Sequence, residues 1–152
     1  MRAGIRLSLV AALLASMNAA ADSRRTVVTH PPYQEECGSC HVAYSPRFLA
    51  APDWRRLMQG LGKHFGSDAS VTPAMARDIG AFLEANAGRE GRRTALSPAP
   101  RITETSWFLH EHDEIAPRTF RSPAVKSAAN CGACHTRADQ GSYREREIRV
   151  PR

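Results

Sequence analysis

Apolar residues recur at helical spacing in two clear stretches of the chain. In "PDWRRLMQGLG" Trp54, Leu57, Met58 and Leu61 fall at i, i+3, i+4 and i+7, one face of a short helix. Pro52 suits its first turn, and Gly60 and Gly62 weaken its end. In "TPAMARDIGAFLEANAG" Met75, Ile79, Phe82 and Leu83 share a face. Thr72 is placed to cap that helix, Pro73 to open it and Gly88 to stop it. "SPAVKSAAN" predicts a further short helix from Ser122, and the tail "SYREREIRVPR" reads as extended. Residues 88–100, "GREGRRTALSPAP", lack apolar periodicity and read as a linker. No stretch alternates like a strand between hairpin turns. The expected fold is mainly α with long loops and almost no sheet.

The N-terminus departs from this pattern. Arg2 and Arg6 precede the apolar run "LSLVAALLA", and small residues follow at Ala19 and Ala21. That is the build of a secretory signal peptide over residues 1–21, cleaved after Ala21, and it is short for a membrane span. The expected location is the periplasm. The organisation is then a first half, 22–87, the linker 88–100, and a second half, 101–152.

Composition adds two constraints. Large apolar side chains are few among the many Ala, Pro, Arg and Gly, and a chain of about 130 mature residues buries a modest share of its surface. Something besides side-chain packing is needed to hold it together. The net charge of +6 falls to about +4 without the two leader arginines. No basic patch interleaved with aromatics accompanies it, which argues against nucleic acid as a partner.

The chemistry lies in four cysteines, the only ones present. Cys37 and Cys40 are followed by His41, and Cys131 and Cys134 by His135. A disulfide within either pair closes too small a loop to stabilise much. Thiol exchange calls for a βαβ pattern, which is missing, and a zinc site made of all four cysteines would join pairs about 90 residues apart. Covalent haem uses every residue of the motif. Each thiol adds to a porphyrin vinyl group, and the histidine gives its imidazole to iron. Two haem c groups are expected, on Cys37 with Cys40 and on Cys131 with Cys134, with His41 and His135 as iron ligands. The fold then becomes a small cytochrome c-like helical fold whose long loops wrap two covalently attached haems. Without them the chain is expected to be largely unfolded.

Each iron has a sixth position. The remaining histidines are His30, His64, His110 and His112, with Met58 and Met75 as alternatives on apolar helix faces. His64, between glycines and beside Phe65, ranks first. His110 and His112 point to different sides of a helix, and spacing leaves the choice open. His30, whose neighbouring Pro31 and Pro32 make an extended strap, ranks third. Trp107 and Phe108 are expected to pack on haem.

Several segments resemble the small periplasmic diheme cytochromes c: "YQEECGSCH", "WRRLMQGLGKHFG", "GAFLEANAG", "RITETSWF", "EHDEI", "NCGACHTRADQG" and the closing "IRVP". The resemblance covers most of the mature chain. It implies two low-spin haems with bis-histidine ligation, and distal ligands at His64 and His112, with His110 an extra histidine. Pairing within each half is the simpler arrangement. It also implies electron transfer between a membrane b-type cytochrome as donor and a small monohaem, oxygen-binding cytochrome c as acceptor. No catalytic residue is expected. Glu111, Asp113 and Glu114 read as solvated charges, and the chain is short for an enclosed peroxide pocket. The alternatives are a gas-binding or redox-sensing haem protein with one labile site, and a small diheme peroxidase-like enzyme.

Overall fold

The computed structural model describes residues 29–95 and 99–151. The expected signal peptide, residues 1–21, and residues 96–98 of the expected linker lie outside the described residues. Five helices carry the architecture: α1 (Pro31–Gly38), α2 (Ala51–Gln59), α3 (Pro73–Ala85), α4 (Ser106–Glu111) and α5 (Pro117–Phe120). Short 3-10 turns join them, and sheet among the described residues is limited to isolated bridges. The mainly α expectation holds.

The predicted apolar faces build the core. Trp54 of α2 meets Ile79 and Leu83 of α3, with Leu49 and Tyr33 closing the cluster. Leu57, Met58, Met75 and Phe82 pack around it. Burying such side chains is worth about 1.5–3 kcal/mol each. Trp54 donates its indole N–H to the Pro46 carbonyl at 2.6 Å, so its polar edge is satisfied. Thr72 caps α3 as expected, accepting from Met75 N at 3.3 Å.

Three expectations are corrected. Helix α3 stops at Ala85 rather than at Gly88, because the Asn86 side-chain amide donates to Phe82 O at 2.9 Å and closes the last turn. "SPAVKSAAN" forms only a turn. Val125 N and Lys126 N both donate to Ser122 O, and Lys126 then leaves helical space at φ 69°. The tail is not simply extended. It makes a 3-10 turn over Glu145–Glu147 and returns to the second cysteine motif, where Arg149 N donates to Cys134 O at 2.8 Å.

Residues 88–95 pack on the first half. Ala50 N donates to Arg93 O at 3.2 Å, Gly88 N to Leu49 O at 2.8 Å, and Ala95 N to the buried Asp53 carboxylate at 2.8 Å. Arg56 pairs with the same carboxylate. From the other side Trp107 N donates to Arg92 O at 2.9 Å, and the Arg93 guanidinium lies 3.5 Å from the Trp107 ring centre. This run of contacts fixes where α4, and therefore His112, can sit.

Candidate functional site

The first motif begins in the last turn of α1. Cys37 is half-buried against the core, and Cys40 and His41 follow just past the helix end. His41 Nδ1 lies 2.8 Å from the Val42 carbonyl oxygen. A carbonyl only accepts, so Nδ1 carries the proton and Nε2 keeps its lone pair for a metal. Tyr44 stacks on His41 at 4.5 Å and 15°, and its hydroxyl donates to Ala129 O at 2.7 Å. One tyrosine thus links the first histidine to the approach of the second motif. Across from His41 stands His64, with ring centres 6.2 Å apart and planes 22° from parallel.

The second motif is a 3-10 turn over Cys131–Ala133, with His135 N bonded to Cys131 O at 2.8 Å. His112 faces His135, again at 6.2 Å, with the planes 75° apart. Helix α4 delivers His112. Thr105, fully buried, caps it by accepting from Phe108 N at 3.1 Å while its hydroxyl donates to Ile102 O at 2.9 Å. His112 then stacks on Phe108 at 4.1 Å, and its Nδ1 is 2.9 Å from Phe108 O. As at His41, that contact frees Nε2.

The equal spacing has a chemical meaning. Two metal–imidazole bonds of about 2 Å, plus about 1 Å from each nitrogen to its ring centre, give about 6 Å between rings. Among the described residues no three His, Cys, Asp or Glu converge on one point. A metal held between two imidazoles must therefore bring its other donors with it, as a porphyrin does. His135 Nδ1 and the Tyr143 hydroxyl are buried without a hydrogen-bond partner, which suits a site completed by a further group. A cavity of about 360 Å³ opens between the motifs, lined by Cys40, His41, Val42, Tyr44, Ala129, Asn130 and Cys131.

Electrostatics favours neutral ligands. Burial, then the neighbouring His41 and Arg101, hold His64 below its ordinary imidazole value; burial and His112 do the same to His135. Burial pushes the Cys37 and Cys131 thiols up to about 11 and raises Cys134. Thiols that stay protonated at neutral pH are poor exchange nucleophiles. None of the four is in a disulfide.

The other sequence candidates stand apart. His30 caps α1, accepting from Tyr33 N at 3.1 Å, while Nε2 lies 3.3 Å from Asp78 and the ring stacks on Phe82 at 4.5 Å. Both its nitrogens have protein partners. His110 is exposed, with Nδ1 4.0 Å from Asp113. Met58 and Met75 belong to the core shell. Phe108 lies against His112, and Trp107 stacks on Phe48, 5.0 Å between ring centres. Sequence reasoning missed Tyr44, Phe120 and the placement of Tyr143, whose ring lies 5.2 Å from His135. A tyrosine three residues after His41 was the available signal for Tyr44.

Two Cys-x-x-Cys-His motifs, each faced by a second histidine in a helical frame, define a c-type haem protein with two haems. The chain belongs to the dihaem cytochrome c family, whose model matches residues 33–143. Solved structures agree. A diheme cytochrome c from Shewanella baltica OS155 is 34% identical, with TM-score 0.69, covering 80% of this chain and 92% of its own. A diheme cytochrome c from Rhodobacter sphaeroides is 40% identical, with TM-score 0.67, covering 77% and 98%. Another structure of the protein purified from that organism gives 40% identity and TM-score 0.66, covering 78% and 100%. No curated protein matches the chain. The protein is therefore a haem-based redox protein with two covalently bound haem c groups, and its four cysteines in two motifs suit that number. Among the described residues no helix is long and apolar enough to cross a membrane.

Proposed function

We propose that the protein is an exported, periplasmic electron carrier whose two haems are both bis-histidine ligated and of low potential. Cys37 and Cys40 would hold the first haem, with His41 and His64 on its iron. Cys131 and Cys134 would hold the second, with His135 and His112. The observation that carries this reading is the 6.2 Å separation of facing imidazoles in both pairs. When bound, haem would supply a one-electron iron couple, and His41, His64, His112 and His135 would hold its iron in partly buried surroundings. Histidine donates more strongly than methionine sulfur and favours the ferric state, so both potentials belong below those of a His/Met cytochrome. His41 and His112 gain further basicity from their Nδ1 contacts with backbone carbonyls. Partners of the kind the family resemblance implies, a membrane b-type cytochrome as donor and a small monohaem, oxygen-binding cytochrome c as acceptor, complete the proposal.

The test combines ferric electron paramagnetic resonance with potentiometry. Near-parallel imidazoles, as at His41 and His64, split the iron π orbitals more than near-perpendicular ones, as at His112 and His135. Two distinct low-spin ferric signals are expected, one rhombic and one strongly anisotropic. Two one-electron waves, both below the His/Met range, should accompany them. A high-spin ferric signal from half the iron, or two strongly positive midpoints, would overturn the reading.

A further inference from the structure

The two distal histidines are held differently. His112 ends a capped helix, stacks on Phe108 at 4.1 Å, bonds its carbonyl through Nδ1 at 2.9 Å, and has Phe120 at 6.2 Å. His64 lies outside any helix. It opens a four-residue turn closed by Ser67 N to His64 O at 3.0 Å. The two middle residues are both left-handed, Phe65 at φ 50° and Gly66 at φ 102°. Glycine adopts that region freely, whereas a phenylalanine there is strained. Among the described residues nothing hydrogen-bonds the His64 ring, which meets Phe65 only at a tilt, 4.8 Å between centres. Phe65 is 40% exposed, with the Arg101 guanidinium 4.0 Å from its ring centre. Below the turn, Ala69 N donates to Leu61 O at 2.9 Å. That bond pins the base of the loop, so the tip can swing without disturbing α2 or α3.

Building on the ligand assignment above, we propose that His64 is a displaceable ligand and that the first haem pocket binds a neutral diatomic donor of the carbon monoxide class in the ferrous state, while His112 keeps the second closed. The exchange is balanced. The His64 Nε2 lone pair would give way to the carbon lone pair of the incoming donor, with no net electron or proton transfer. Departure of His64 lets Phe65 return to ordinary backbone space, so relief of the turn favours opening. Nothing comparable is stored at His112.

The experiment is a carbon monoxide titration of the dithionite-reduced diheme protein, followed by visible absorption. Half the c-type signal should convert in the unmodified protein. His64→Ala should still convert one haem, at carbon monoxide concentrations about tenfold or more lower, and His112→Ala should convert both. Phe65→Asn keeps His64 but tolerates the left-handed turn, and should weaken the apparent affinity about five- to tenfold. This variant carries the test even if His112→Ala fails to fold. An unmodified protein that ignores carbon monoxide overturns the inference and leaves the carrier reading intact. Conversion of both its haems overturns the inference and the closed second site together. An unchanged affinity in Phe65→Asn, or a single converted haem in His112→Ala, also overturns it.

Discussion

At the scale of single residues, the sharpest question is which histidine of "HEH" is functional. His110 and His112 are chemically identical, and the neighbouring sequence does not separate them. Their backbone surroundings do. His110 lies within α4 and faces solvent near Asp113, while His112 caps that helix and turns back onto Phe108. His110→Ala should leave the ferric and ferrous absorption spectra of both haems unchanged. His112→Ala should convert one haem to a high-spin or ligand-binding form. The reverse pattern in the same spectra would mean that His110 is the ligand. The two motifs holding Cys37, Cys40 and His41, and Cys131, Cys134 and His135, were readable because motif spacing is local information. Opposition across a gap is not local, and only resemblance had pointed to His112.

At the scale of elements, α2 and α3 were legible because their apolar faces follow a single helical period, and Thr72 and Pro73 mark a start that needs no tertiary help. Helix α1 was missed. Prolines at its first two positions read as an extended strap, yet both suit a first turn once His30 supplies the cap. The 88–100 segment shows why composition misleads. Its glycine at position 88 is a close approach, not a loose joint. It pairs in parallel with Ala50, and a Cβ there would overlap the Arg47 carbonyl oxygen. Gly88→Ala should therefore destabilise the folded protein by about 1–3 kcal/mol, by the overpacking rule. Thermal unfolding of the haem-loaded variant measures this. Gly91→Ala, where open space surrounds the site but φ is 90°, should show the smaller cost of backbone strain alone.

At the scale of the whole molecule, Tyr33 belongs to the core, while Tyr44 and Tyr143 lie beside His41 and His135. Burial dominates each shift, pushing Tyr44 up to about 12 and Tyr33 and Tyr143 higher still. Thioether formation removes the nearby cysteine charges that add to these shifts but leaves the burial. The unfolded chain loses its phenolic protons near 10, so between there and the folded values the native state binds more protons than the unfolded one. Stability is then fully present below pH 10 and is lost as pH rises through the folded values. Phenolate absorbance should stay flat through pH 10 and rise only with loss of the helical signal; an early, reversible rise with the fold intact would mean exposed tyrosines.

The distribution of the core argues for a last consequence at this scale. Tyr33, Leu49, Trp54, Ile79 and Leu83 form one cluster, and all precede residue 88. Beyond residue 100 the described buried apolar residues are Phe108, Val125 and Ala138, which do not join it. The second half is held by Ile102 against the core, by Phe48 on Trp107 and Tyr143, by the Arg92 and Arg93 contacts, by Tyr44 reaching Ala129, and by the tail folded over Cys134. Three buried side chains, one of them only Ala138, are too small a core to order this half alone. A porphyrin held at the second motif would add the missing apolar plate. A protein lacking the second haem, made by changing Cys131 and Cys134 to Ala with the first motif intact, should lose amide protection throughout 101–151 while α2 and α3 keep theirs. Uniform protection in hydrogen exchange would show that the second half folds without its haem.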